Sequence, residues 1–203
     1  MNAHINQDQP SPWVSRFARL IPAGRVLDLA CGAGRHSRLL ARLGHAVLAV
    51  DRDAAALAAA SGPGIVTLKF DLEHTEAPGQ SDWPLAPESF SGIVVSNYLH
   101  RPLMGALLDS LAPGGVLIYE TFAVGNGQFG KPSSPAFLLN PGELLAWSSS
   151  LSRCRVIAFE DGYQQQPRPA MVQRICLRKS NGIPEVPTES VMLDRRTQAA
   201  ASQ

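Results

Sequence analysis

Residues Val26 to Ser37, VLDLACGAGRHS, constrain the fold more than any other stretch of this chain. A short apolar run (Val26, Leu27, Leu29) carries one acidic residue, Asp28, and leads through Gly32 and Gly34 into an amphipathic segment. That order predicts a strand, a tight turn and a helix. Glycines at the turn accept positive φ and let a ligand lie against bare backbone. A second apolar run, Ala46 to Val50, ends at Asp51, about seventeen residues beyond Gly34. A carboxylate at the end of the second strand suits the two hydroxyls of a ribose. The pattern predicts a nucleoside-binding α/β unit.

Charge separates the possible nucleosides. A dinucleotide fingerprint needs a third glycine, and Ser37 stands in that position. Asp28, four residues before Gly32, would repel a pyrophosphate and attract a cation. S-adenosylmethionine (SAM) brings a sulfonium and an ammonium group and no phosphate, so the electrostatics favour it over NAD.

The run Asp28-Leu29-Ala30-Cys31-Gly32-Ala33-Gly34 resembles motif I of the class I SAM-dependent methyltransferases, acidic-x-Gly-x-Gly-x-Gly, with Ala30 in the first glycine position. Gly34-Arg35-His36-Ser37 and Pro141-Gly142-Glu143-Leu144 are similar to the tellurite-resistance/thiopurine branch of that family. The resemblance covers about Val26 to Arg178. It implies a doubly wound, mostly parallel seven-stranded sheet, a Rossmann-like methyltransferase fold with an antiparallel last strand.

At 203 residues the chain fits one domain with a substantial core. Its net charge of +1 and pI near 7.8 give no basic footprint for nucleic acid. Cys31, Cys154 and Cys176 form no C-x-x-C pair and read as reduced core residues, with no metal site among them. Met1 to Pro12 lacks a secretory pattern, and no run reaches the ~18 apolar residues of a membrane span. A cytoplasmic protein with no membrane partner is the expectation. Residues 1–12 are expected to be disordered, 13–179 to form the SAM-binding domain, and 180–203 to be a flexible tail.

Strands are predicted at Arg25 to Ala30, Ala46 to Val50, Ile65 to Phe70, Gly92 to Ser96, Val116 to Glu120, Arg155 to Glu160 and Met171 to Arg178. Helices are predicted from Trp13 to Ile21, Arg35 to Leu43, Asp53 to Ala60, Pro102 to Leu111 and Pro141 to Trp147, with Asp53 as a cap. Pro113-Gly114-Gly115 reads as a turn.

Ligands of open α/β sheets bind at the carboxyl ends of strands. That rule selects Ala30 to Arg35 (hence Cys31, Gly32 and Gly34), Asp51-Arg52, Asp71-Leu72, Asn97 to Arg101 and Glu120 to Phe122. Asp51 is read as the ribose ligand, and Arg52 either packs beside the adenine or is a solvated charge. The resemblance implies that Asp28 organises the glycine turn and the methionine amino group. It further implies that Asp71 meets the adenine amino group with Leu72 against the ring, and that the Asn97 backbone meets the methionine portion. Arg35 is a candidate partner for the methionine carboxylate. Tyr98 and His100 are candidate catalytic residues at the methyl-donor end, His100 as a proton acceptor. Glu120 to Pro135 is a candidate lid, and Trp13 either covers the site or belongs to the core.

The resemblance implies in-line methyl transfer, its tellurite-like branch suggests a small nucleophile such as a thiol, a hydroxyl or a metalloid, and the near-neutral charge agrees with a small-molecule substrate over nucleic acid or protein. Three alternatives stay open: methylation of RNA or protein, a non-catalytic SAM-binding module, and an NAD-linked oxidoreductase.

Overall fold

The structure, a computed structural model, describes residues 8–73, 83–149 and 153–182. Seven strands form one sheet in the order β3-β2-β1-β4-β5-β7-β6. They are β1 Arg25–Leu29, β2 Ala46–Asp51, β3 Ile65–Lys69, β4 Phe90–Ser96, β5 Leu111–Phe122, β6 Cys154–Gln164 and β7 Ala170–Lys179. The first five pair in parallel, and β7 runs antiparallel between β5 and β6. The doubly wound sheet and its antiparallel strand are therefore as the sequence predicts.

Among the described residues five α-helices cover the sheet: α1 Pro12–Phe17, α2 Arg35–Arg42, α3 Ala54–Ala60, α4 Met104–Ser110 and α5 Glu143–Ser149. Strand side chains alternate between faces, so one sheet serves two cores. Val26, Val47, Val94, Ile118 and Cys176 face Trp13, Phe17 and Leu40 of α1 and α2. Leu27, Leu29, Ile93, Val95, Leu117 and Ile175 face Leu107 of α4 and Leu144 of α5. Trp13 is 3% exposed and sends its indole N–H toward the Ile175 carbonyl at 3.4 Å, which assigns it to the core.

Three expectations need correction. Pro113-Gly114-Gly115 is no free turn: it lies in a bulge of β5, where the pairing with β4 jumps from Leu111 opposite Phe90 to Val116 opposite Gly92. Strands β6 and β7 run longer than their apolar cores, because backbone pairing continues where the side chains turn polar. Of the expected disordered N-terminus, residues 1–7 lie outside the described residues, but Ser11 is buried and caps α1 by accepting the Trp13 amide. Most of the expected tail, from residue 183 onward, also lies outside the described residues. Among the described residues no helix is long and apolar enough to cross a membrane.

Candidate active site

The parallel strands converge at their carboxyl ends, and the chain order reverses between β1 and β4. A crevice opens there because the connections leave to opposite faces. A cavity of about 190 Å3 lies on the β1–β2–β3 side of this point. It is lined by Ala30, Asp51, Arg52, Phe70, Asp71, Leu72, Glu73 and Tyr98. Five residues proposed from sequence as cofactor ligands (Ala30, Asp51, Arg52, Asp71 and Leu72) thus share one wall system.

The floor is the glycine turn. The Cys31 amide donates to the Val50 carbonyl and the Gly34 amide to the Cys31 carbonyl, each at 3.0 Å. Ala30, Gly32 and Gly34 all take positive φ, at 51°, 53° and 76°. Ala30 thus adopts the backbone that motif I ordinarily assigns to glycine. A side chain built on Gly32 would meet nothing within 4 Å, which leaves bare backbone open to a ligand. Gly34 differs: an added Cβ would lie 2.5 Å from the Cβ of Ala60. Its missing side chain serves the packing of α2 against α3. Cys31 is buried, and its thiol donates to the Gly32 carbonyl at 3.3 Å. Burial pushes that thiol up to about 12, so it stays protonated at neutral pH and is no nucleophile.

Asp51 Oδ2 accepts the Gly32 amide at 2.8 Å and Oδ1 accepts the Asp53 amide at 3.0 Å. Two backbone bonds fix the carboxylate, and each oxygen keeps lone-pair capacity for a hydroxyl donor. Asp53 caps α3 as expected, accepting from Ala55 and Ala56. Asp71 forms a turn by accepting the Glu73 amide at 3.0 Å and lines the cavity as well.

Asp28 lies under the turn, 1% exposed, and accepts from the Ser37 hydroxyl at 2.5 Å. This bond gives the reason for a serine in the third glycine position: it ties α2 to β1 and satisfies a buried acid. Among the described residues the partner of the Asp28 carboxylate is Ser37, which bonds it through both its hydroxyl and its backbone. Burial raises its pKa to about 6, partly offset by the Ser37 hydroxyl.

Arg35, in the first turn of α2, donates to the Ser96 hydroxyl at 3.2 Å and weakly to the Gln9 carbonyl at 3.4 Å. Its neighbour His36 is buried, and Nε2 accepts the Ser11 amide at 3.1 Å. Burial, with the Arg35 charge adding to it, pushes His36 down to about 3 and keeps it a neutral acceptor. The sequence singled out Arg35 but missed His36. Its only signal was its place in the motif, and its partner, Ser11, is 25 residues away.

On the β4 side, Asn97 takes a φ of 58° and its amide donates to the Glu120 carbonyl at 2.9 Å. Tyr98 lines the cavity beside Ala30 and Asp51, and its buried hydroxyl has no hydrogen-bond partner among the described residues. Burial, followed by the charges of Glu73 and Asp71, raises its pKa, so it stays a neutral donor. It therefore sits with Ala30, Asp51 and Asp71 and not with the polar groups of β5 and β7. His100 is half-buried and does not line the cavity; its carbonyl accepts the Leu103 amide at 3.1 Å. Arg101 is a staple: it grips Glu143 with two bonds, at 2.6 and 2.9 Å, and the carbonyls of Ala136 and Leu138. The expected lid beyond β5 is pinned as well, since buried Asn126 donates to the Pro132 carbonyl and accepts the Met171 amide.

Register reveals one arrangement that sequence reasoning missed. Ser96 of β4 pairs with Glu120 of β5, Glu120 with Arg174 of β7, and Arg174 with Glu160 of β6. These four polar side chains form one row on the α1–α2 face. Ser96 donates to Glu120 Oε1 at 3.0 Å, Arg174 Nε to Glu120 Oε2 at 3.2 Å, and a terminal Arg174 nitrogen to Glu160 at 3.1 Å. The third Arg174 nitrogen meets Gln164. Arg35 abuts the row through Ser96.

The site also fits the group that motif I implies. An unpartnered Tyr98 hydroxyl, an open Gly32 backbone and an oriented Asp51 carboxylate suit a nucleoside with ribose hydroxyls. The buried Asp28 beneath the turn suits a cation better than a phosphate.

Residues 26–115 match a family described as a methyltransferase domain. The chain is 32% identical over 114 residues to a protein-L-isoaspartate O-methyltransferase of Chlorobaculum tepidum, covering 56% of this chain and 52% of that protein. It is 34% identical over 122 residues to a trans-aconitate 2-methyltransferase of Mycobacterium tuberculosis, covering 56% of this chain and 41% of that protein. The chain thus spans about half the length of these curated relatives. TehB from Haemophilus influenzae superposes with a TM-score of 0.60 at 19% identity, over 82% of this chain and 61% of that one. By fold the chain is a Rossmann-like protein of the methyltransferase type, and its residues 26–115 are similar to the methyltransferase-domain family.

Proposed function

We propose that the protein transfers the methyl group of SAM to a small-molecule nucleophile. The observation that carries this reading is the cavity in which the Asp51 carboxylate, Asp71 and the unpartnered Tyr98 hydroxyl surround the open glycine turn. SAM is the cofactor that a methyltransferase domain implies. When bound, it supplies a methyl group already activated by a positively charged sulfur leaving group.

The chain's own contribution is binding and orientation. Asp51 takes the ribose hydroxyls, held by the Gly32 and Asp53 amides. Asp71 and Leu72 hold the adenine, with Arg52 at the rim, and Tyr98 donates its hydroxyl to the nucleoside. Arg35, which has no carboxylate within ion-pair distance among the described residues, takes the methionine carboxylate. The Asn97 backbone, strained at positive φ, turns the end of β4 toward the methionine portion. Transfer forms one bond from the acceptor lone pair to the methyl carbon and breaks the carbon–sulfur bond, whose electrons neutralise the sulfur. With so reactive a donor, alignment and exclusion of water carry most of the catalysis. In this reading Tyr98 serves the cofactor, leaving His100 as the proton acceptor for a thiol or hydroxyl.

Support for a small acceptor comes from the near-neutral chain and from the trans-aconitate enzyme among its relatives. Likeness to TehB is compatible with the tellurite-resistance branch. Isothermal titration with SAM, S-adenosylhomocysteine and NADH tests the cofactor. Micromolar binding of the first two and none of the third is expected; a preference for NADH overturns the reading. Asp51→Ala should weaken SAM binding at least about tenfold, equivalent to roughly 1.4 kcal/mol, while circular dichroism stays unchanged.

A further inference from the structure

We propose that the acceptor is a small anion and that the Arg168 guanidinium, laid over the Phe122 ring, receives its charge. The proposal rests on the methyl-transfer reading and deepens it. The nucleoside cavity occupies the β1–β2–β3 side of the crevice, which leaves the β4–β5–β7 side for the acceptor.

Three guanidinium groups gather on that side, and their partners distinguish them. Arg174 is saturated by Glu120, Glu160 and Gln164. Arg35 is half-buried at the glycine turn with only a hydroxyl and a carbonyl for company, and the cofactor's own carboxylate accounts for it. Arg168, in the β6–β7 turn, is exposed and has no ion pair to a carboxylate among the described residues. Its guanidinium carbon nevertheless lies 5.1 Å from the centre of the Phe122 ring, a side chain only 5% exposed.

A solvated arginine has no reason to stay in one place; a stacked one has. Stacking engages the face of the guanidinium and leaves its N–H donors free in the plane, the geometry that a carboxylate or another oxyanion binds with two parallel bonds. The backbone holds it there too, since Gln164 donates to the Arg168 carbonyl at 3.2 Å and is itself gripped by Arg174. Phe122 stands two residues beyond Glu120 on the same face of β5, so Arg168 overlooks the polar row that leads to Arg35. Glu120 and Glu160 interrupt the basic groups, so the surface presents separate anion sites and not the continuous stripe that a nucleic acid requires.

The experiment uses [methyl-3H]SAM and a small-molecule cell extract split by ion exchange into anionic, neutral and cationic pools. Wild-type protein, Arg168→Gln and Arg168→Lys are compared, with SAM affinity measured separately by titration. Label is expected in the anionic pool. Arg168→Gln should lower that transfer at least tenfold with a raised KM, Arg168→Lys should restore part of it, and both should keep SAM affinity within twofold. Label confined to the neutral or cationic pool, or full transfer by Arg168→Gln, overturns the proposal. Tight SAM binding with no label in any pool overturns the transfer reading itself and this inference with it.

Discussion

Ala30 shows how a single residue carries the mark of a site. A non-glycine residue at a φ of 51° is strained, and here it lines the cavity at the strand ends. Ala30→Gly is expected to raise unfolding free energy by up to about 1 kcal/mol, because relief of strain outweighs the entropy glycine adds to the unfolded chain. Urea denaturation measures the difference. His36 and Asp28 make an opposed pair. His36 titrates at about 3 in the fold against 6.5 for the free side chain, so between these values the unfolded chain binds more protons. Its contribution therefore falls as pH drops from 6.5 toward 3. Asp28 titrates at about 6 against 3.8, so the native state binds the extra proton and its contribution grows as pH falls through that window. His36→Gln, which keeps an acceptor for the Ser11 amide, should flatten the loss of stability between pH 6.5 and 4.5. An unchanged pH profile in that variant refutes the assignment.

At the scale of elements, the contact between the start of α2 and the end of α3 governs the glycine turn. A methyl group on Gly34 would lie 2.5 Å from the Ala60 side chain and 2.7 Å from its Cα, with φ at 76° besides. Gly34→Ala should therefore destabilise by about 2–4 kcal/mol through overpacking and strain together. Adding Ala60→Gly should recover only part of that loss, because the strain at residue 34 remains. Thermal melts of the two variants separate packing from backbone strain; full recovery in the double variant means that packing alone mattered. The same turn was the most legible element in the sequence. Its strand, glycines and helix are consecutive, so spacing alone describes them. The bulge at Pro113 to Gly115 was not legible, since a proline–glycine pair reads alike in a free turn and in a kinked strand.

For the whole molecule, ligand linkage offers the broadest check. A ligand bound only by the native state at a hundredfold excess over its Kd stabilises by about 2.7 kcal/mol. S-adenosylhomocysteine at that excess should raise the melting temperature of the wild type, while an equal concentration of NADH leaves it unchanged. Asp51→Asn should lose most of the shift at the same ligand concentration. What the sequence determined by itself was local. Apolar runs at strand and helix periods, the Asp28-to-Gly34 turn, and Asp51 at the end of the next strand specified a doubly wound sheet and the strand ends where its cavity opens. Each of those features depends on neighbours a few residues apart. Only the tertiary structure decided the rest. The Ser96–Glu120–Arg174–Glu160 row exists because β7 inserts antiparallel between β5 and β6 in one particular register. The Ser11–His36 bond and the Arg168–Phe122 stack likewise join residues 25 or more positions apart. Periodicity tells which way a side chain faces along its own strand; which strand lies alongside, and in what register, is settled only when the whole sheet closes its core.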